Sequence, residues 1–584
     1  MGSKSWKAAG APRPVLLAAG VLWAAGAFAS ATPPEHVDNF ALLDQQGKYH
    51  SLYYLSDAKA VVLMTHDDEC ATVRDALPAL EQAKAAYGAK GVEFLMINSN
   101  DTREAIAAQT ARTPGSTIPV LVDESHLIGE SLQLNRAGEV FVIDPQGWKI
   151  AYRGPLDRSK SGSALLTSAL DSVLAGQPVK AARVAAKGCP VKLAKTGSPG
   201  TKISYSNEIA PLIIDNCVTC HRNGGIGPFA MTSYEIVQGF APMIREVVRT
   251  RRMPPWHADS HVGVFQGDRS LTLEEAEKLV HWIEAGAPRG TGPDPLAELK
   301  KTWPEWTFGE PDLVITLPAY DVPATGVVDY QRYVVANTTG RDVWIRASDT
   351  IPGDRTVLHH VLTGVYDPKL PERPRMIRAS SGELGGYVPG NGPVLYPQDT
   401  GVLVPKDCSF AFQVHYTTSG KATRDVTRVG LYFAKEPPKY EFKTAVIANP
   451  RLSIPANTKA HTESMTTEFP REVLVYSLTP HAHYRGSASN FVAKYPDGRE
   501  ELLLSVPKYD FNWQTTYSLV TPRVMPAGTK IVHSTVYDNS SQNPANPDPN
   551  RVVPWGEQSW DEMLYGVVRY REMTPVATKV AEAK

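Results

Sequence analysis

The sequence predicts a multidomain chain: an α/β domain first, a small all-α domain next, and two tandem all-β sandwiches to the end. Three observations lead there. The chain has 584 residues, too many for one core and enough for about three or four domains at roughly 150 residues each. Up to about residue 185, buried strand-like runs alternate with helix-like sequence. Beyond residue 300, short alternating segments are parted by Pro, Gly, Asn and Asp turns, as in sandwiches.

Composition excludes several classes. The chain is 42% hydrophobic and 21% charged, with Lys+Arg 60 against Asp+Glu 61, so it carries no basic footprint for nucleic acid or an anionic surface. Its 5 cysteines are too few for a disulfide scaffold. Lys4, Lys7 and Arg13 precede an apolar run over 15–28 and then Ala29-Ser30-Ala31. Basic, apolar and small residues in that order read as a secretory signal over 1–31. The run is shorter than the ~20 residues a spanning helix needs, and an uncleaved anchor is the alternative. The expectation is an exported chain, periplasmic or secreted, with no membrane span once mature.

The α/β domain is expected over 32–186. Val61-Val62-Leu63-Met64 reads as a buried strand, helix-like sequence follows from Ala71 to Tyr87, and Val92 to Asn98 is a second buried strand. Val120-Leu121-Val122 and Val140-Phe141-Val142-Ile143 complete the set. This order, with Cys70 at the end of the first central strand, resembles the thioredoxin-like fold of the redoxin family. Pro119 matches the family's cis-proline. The chemistry departs from it: Ala71, Thr72 and Val73 follow Cys70, so there is no Cys-x-x-Cys pair. Asp67 stands where a peroxidase thiol expects Thr, and Asp67, Asp68 and Glu69 would raise the Cys70 pKa. A structural disulfide between Cys70 and Cys189 fits an oxidising compartment; a reactive Cys70 is the alternative. The domain is expected to dock or to support rather than to catalyse.

A linker rich in Gly, Pro, Ser and Lys covers 187–203. The all-α domain follows over 204–300. It opens on a short helix leading into Cys217-Val218-Thr219-Cys220-His221 and closes on a helix capped by Thr272 and Glu275 and ended by Gly286. Ala276, Leu279, Val280 and Ile283 give that helix one apolar stripe. Two thiols at this spacing can add to the vinyl groups of a haem, with the adjoining imidazole beneath the iron. Zinc is the competing reading, but it needs two more ligands and no second Cys pair exists. The segment resembles a cytochrome c domain. Met253, before Pro254-Pro255-Trp256, is the expected sixth ligand; Met231, Met243, His257 and His261 compete. His281 is expected to be filler.

The all-β half divides at about 440, giving sandwiches over 301–440 and 441–584. Ser409 to Tyr416 alternates clearly, with Gln413 and His415 on one face. Of seven histidines here, five are paired or strand-aligned: His359-His360, His415, and His481-Ala482-His483. Adjacent His359 and His360 point to opposite faces of a regular strand, so binding one ion requires a bulge or an Nδ1 ligand.

Leu358-His359-His360-Val361, Gly385-Gly386-Tyr387, Gln413-Val414-His415-Tyr416, His481-Ala482-His483 and Asp561-Glu562-Met563 carry a further resemblance. The half is similar to the copper type II, ascorbate-dependent monooxygenases, which include peptidylglycine α-hydroxylating and dopamine β-monooxygenases. The resemblance implies two jelly-roll subdomains and two copper ions. His359, His360 and His415 would hold the electron-transfer copper, and His481, His483 and Met563 the copper that meets dioxygen; zinc is the alternative occupant. The Arg and Tyr that hold a peptide carboxylate in the peptidylglycine branch are here Thr479 and Val567. Cys408 is the one cysteine of this half and is expected to be a buried thiol.

The combined expectation is an exported copper monooxygenase that hydroxylates a C–H bond of a small molecule or peptide. A fused c-type haem would relay electrons from an external donor. Two alternatives stand: a non-enzymatic haem and copper electron carrier or sensor, and a thiol peroxidase with accessory metal domains.

Overall fold

A computed structural model describes residues 34–112, 116–156, 164–193, 203–370 and 384–576. The signal-like segment at 1–31 lies outside the described residues. The first domain is a five-stranded sheet of β1 (Ala60–Thr65), β2 (Val92–Asn98), β3 (Val120–Val122), β4 (Glu139–Asp144) and β5 (Lys149–Pro155), in the order β3-β2-β1-β4-β5. β1 to β3 run parallel; β4 and β5 are antiparallel. Alternate side chains of β1 feed two cores: Val62 and Met64 meet α1 (Ala71–Tyr87), while Val61 and Leu63 face Phe40, Leu121 and Phe141. A strand buried on both faces needs the near-continuous apolar run seen here. The longer remaining helices are α2 (Arg103–Arg112) and α3 (Ala164–Leu174), with a short helical turn over Leu127–Ser131 between β3 and β4. The cis-proline expectation fails. Among the described residues the cis peptide is Met253–Pro254, not Ile118–Pro119, so the match at Pro119 is one of sequence only.

The second domain is helical. A π-type turn over Tyr205–Ile209 runs into α4 (Ala210–Asn216), followed by α5 (Tyr234–Gly239), α6 (Ala241–Arg249) and α7 (Leu273–Glu284). Thr272 and Glu275 form the expected reciprocal capping box on α7, and Gly286 follows with φ 89°. The apolar stripe of α7 serves two cores. Leu279 and Trp282 pack within the helical domain, while Val280 and Ala276 pack on the first domain.

The rest is all β. β6 (Leu313–Thr316), β7 (Gln331–Ala336), β8 (Val343–Ile351), β9 (Leu358–Tyr366), β10 (Gly386–Tyr387), β11 (Thr400–Val404), β12 (Ser409–Tyr416) and β13 (Arg428–Phe433) form two sheets. One has the order β7-β12-β9-β10, the other contains β11-β8-β13-β6, and one core lies between them. A second pair of sheets follows: β14 (Lys443–Ala448), β15 (His461–Glu468), β16 (Val473–His481), β17 (Gly486–Lys494), β18 (Glu500–Val506), β19 (Tyr517–Met525), β20 (Lys530–Tyr537) and β21 (Tyr565–Glu572). Their orders are β14-β21-β16-β19 and β15-β20-β17-β18. No helix among the described residues is long and apolar enough to cross a membrane.

Candidate metal centres and the redoxin thiol

β9 and β12 are antiparallel neighbours with His360 opposite His415. The register slips between Leu358 and His360; this bulge brings His359 to the side of its neighbour. The Nδ1 atoms of His359 and His360 stand 3.2 Å apart, the separation of two ligands that each sit about 2 Å from one ion. Nitrogens of His359, His360 and His415 all fall within 4.8 Å of one another. His415 Nδ1 is buried without a partner, a cost that a metal would remove. Burial holds all three rings neutral, with His359 pushed down to about 3 and His415 to about 4, and the neutral imidazole is the form that ligates.

The second cluster lies where β16 ends. His481 Nδ1 meets Gln514 Oε1 at 2.8 Å and His483 Nδ1 meets the Asp561 carbonyl at 3.2 Å. Those acceptors put the ring protons on Nδ1 and leave both Nε2 atoms for a metal. The rings are 5.2 Å apart at 89°. Glu562 ties the backbone of Met563 to theirs. Its carboxylate accepts from the backbone N–H of His483 at 2.8 Å, of Arg485, and of Met563 at 3.3 Å. Burial raises the Glu562 carboxyl to about 7.

One ring touches both clusters. Phe511 stacks on His359 at 4.8 Å and meets His483 edge-on at 6.0 Å. A cavity of about 1030 Å³ opens between the sandwiches, with His360, His481 and Met563 in its wall. Gln514 and Phe511 were not found by sequence reasoning; they sit on a loop without periodicity or motif. Glu562 lay inside a matching stretch, but nothing marked its carboxylate as the brace.

In the helical domain, Cys217 and Cys220 are free and half-buried. His221 Nδ1 donates to the Phe229 carbonyl at 3.0 Å, which leaves Nε2 as the free ligand atom. Gly227 lies flat against this ring: a Cβ there would stand 2.8 Å away. Two free thiols and an oriented imidazole fit covalent haem attachment. Met253 follows α6 half-buried, its N–H donating to Val247 at 3.2 Å. Met231 is buried in the core that Cys217 packs against, and its N–H donates to the His221 carbonyl at 2.9 Å. Met243 is exposed, His257 is buried, and His261 turns to Glu104 and Glu124 of the first domain. His281 is no filler: its Nε2 meets Glu130 Oε2 of the first domain at 2.5 Å.

Cys70 caps the N-terminus of α1 and is joined to Cys189 in a disulfide. His66 and Asp68 lie beside it in sequence, 3.3 Å apart. Burial lowers His66 to about 4 and raises Asp68 to about 6. Cys408 is a buried free thiol.

Residues 33–153 match the AhpC/TSA family, and the N-terminal domain is accordingly a redoxin domain of thioredoxin-like fold. That domain suggests an oxidoreductase working through thiols. No curated protein matches the chain. Solved structures each match about a quarter of the chain. A hypothetical protein from Sinorhizobium meliloti 1021 is 26% identical, with 28% of this chain and 97% of that chain covered and a TM-score of 0.26. A putative thiol:disulfide interchange protein DsbE from Chlorobium tepidum is 20% identical, covering 25% and 99%, with a TM-score of 0.23. The peroxidoxin BcpB from Mycobacterium tuberculosis is 20% identical, covering 24% and 94%, with a TM-score of 0.19.

Proposed function

We propose that this chain is an exported copper-dependent monooxygenase of jelly-roll architecture, fed with electrons by its own c-type haem domain. The observation that carries the reading is the convergence of His359, His360 and His415 through a strand bulge, with one ring touching both that cluster and His483. Imidazole sets suit copper in both valences and a thioether favours Cu(I). Bound there, copper would supply one-electron chemistry with dioxygen, and haem at Cys217, Cys220 and His221 would supply single electrons. The balance is R–H + O₂ + 2e⁻ + 2H⁺ → R–OH + H₂O. The chain's own residues do the rest. Gln514 and the Asp561 carbonyl aim the two Nε2 atoms, and the Glu562 carboxylate holds the backbone of His483 and of Met563 together.

Metal analysis and mass spectrometry test this. Purified holoprotein should hold two coppers and one covalent haem; His415→Ala should lose one copper and His481→Ala the other. Incubated under ¹⁸O₂ with ascorbate and a small-molecule extract, the wild-type chain should yield a product gaining one ¹⁸O that Met563→Ala does not form. Zinc in both sites, or no ¹⁸O uptake by copper-loaded protein, overturns the reading.

A second reading, thiol peroxidase or thiol–disulfide oxidoreductase, is favoured by the redoxin match and by Cys70 at a helix N-terminus bonded to Cys189. It predicts that thiol-driven peroxide or disulfide reduction disappears in Cys70→Ser and survives His415→Ala.

A further inference from the structure

Arg569 lines the cavity between the sandwiches, and no carboxylate pairs with it among the described residues; Glu557, also in the lining, pairs with Arg332. The cavity floor is a pair of antiparallel strands, β16 and β21, with His481 opposite Tyr565, Thr479 opposite Val567 and Ser477 opposite Arg569. All six face the cavity, as every second residue of a strand must. Arg569 is half-buried, and its exposure is to that cavity. The one ionisable side chain that bears on it among the described residues is the Tyr396 phenol, and burial pulls its pKa below the ordinary arginine value. A guanidinium is not neutralised by such a shift, and leaving its charge unpaired at low dielectric is costly. Nearby ring systems make the same end apolar: Tyr396 and Phe442 stack at 4.9 Å, with Tyr476 5.8 Å beyond.

We infer that Arg569 is the anchor for an anionic substrate with a long apolar body, lying along β16 and β21 with its reactive carbon towards His481 and Met563. Four residues of strand separate the Arg569 rung from the His481 rung, about 13 Å at ~3.3 Å per residue. The anion is therefore roughly ten bonds from the carbon that reacts. A short substrate with its carboxylate next to that carbon is excluded, in keeping with Thr479 and Val567 lining the nearer rung. Bidentate hydrogen bonds from the guanidinium to a carboxylate or phosphate oxygen pair would supply the selectivity.

The copper end of this inference rests on the proposed function; the anion end does not. Copper-loaded full-length protein, its metal content measured first, is titrated with dansylaminoundecanoic acid and with the matching neutral carboxamide. Fluorescence should show the acid binding about tenfold tighter or better. Arg569→Gln should remove that preference while leaving amide binding and copper content unchanged, and Arg569→Lys should restore part of it. Displacement by dodecanoate and by dodecyl phosphate tells which headgroup is preferred. Equal binding of acid and amide, no binding of either, or a preference that survives Arg569→Gln overturns the anchor. Absence of copper alongside an intact acid preference overturns only the oxygenase reading.

Discussion

Gln514 Oε1 accepts from His481 Nδ1 at 2.8 Å, so a single amide decides which nitrogen of that ring faces the second cluster. Gln514→Leu should weaken copper binding there about 10–100-fold. Under a competing chelator, the copper count should fall from two to one while the His359, His360 and His415 site keeps its metal. Loss of both coppers, or of neither, would contradict that role. The five histidines drew notice in sequence because they are paired or strand-aligned, whereas Met563 entered only through the family resemblance. Gln514, Phe511 and Arg569 drew no notice. Each acts through contacts with residues distant in the chain: Gln514 is 33 positions from the ring it orients, and Arg569 gains meaning only once Ser477 and the cavity are opposite it.

At the scale of elements, the bulge in β9 shapes the first histidine cluster, and the cap of α7 secures the helix that closes the helical domain. The bulge was foreseeable as one of two conditions: two adjacent histidines on one ion need either it or an Nδ1 ligand, and the register slips there. The cap was legible outright, since Thr272 and Glu275 have the spacing that satisfies two orphan donors. Thr272→Ala should destabilise the helical domain by about 1 kcal/mol, read as a lower thermal midpoint with metal binding at the two histidine clusters unchanged. The π-type turn at Tyr205–Ile209 had no sequence signal; the short helix expected over Glu208 to Asn216 follows it as Ala210–Asn216. Pro119 shows the opposite failure, a residue match without the backbone geometry it brings in the family.

At the scale of the whole molecule, the order of domains was readable from periodicity, but their docking was not, because docking pairs side chains from segments with no shared pattern. Val280 of α7 sits in the first domain's core, and His281 pairs with Glu130 across the same seam. The bond to Glu130 raises the His281 pKa above its ordinary value near 6.5. A raised histidine contributes stability that is fully present below the unfolded value and is lost as pH rises through the folded one. Glu277 and Glu284 reinforce the shift from α7 itself, while desolvation opposes it. Thermal melts should therefore show the wild-type chain losing its advantage over His281→Gln as pH climbs past about 6.5 and beyond. A difference independent of pH would mean the imidazole is neutral throughout.

Phe511 belongs to the second sandwich yet lies flat on His359 of the first. Relative sliding of the two β-modules would have to peel an aromatic face off an imidazole and wet both. The Phe511 ring shares the work of holding the modules with Asn391, which bonds Gln514 and Thr516, and with the Arg332–Glu557 pair, so the spacing of the two clusters is fixed at several points of one seam.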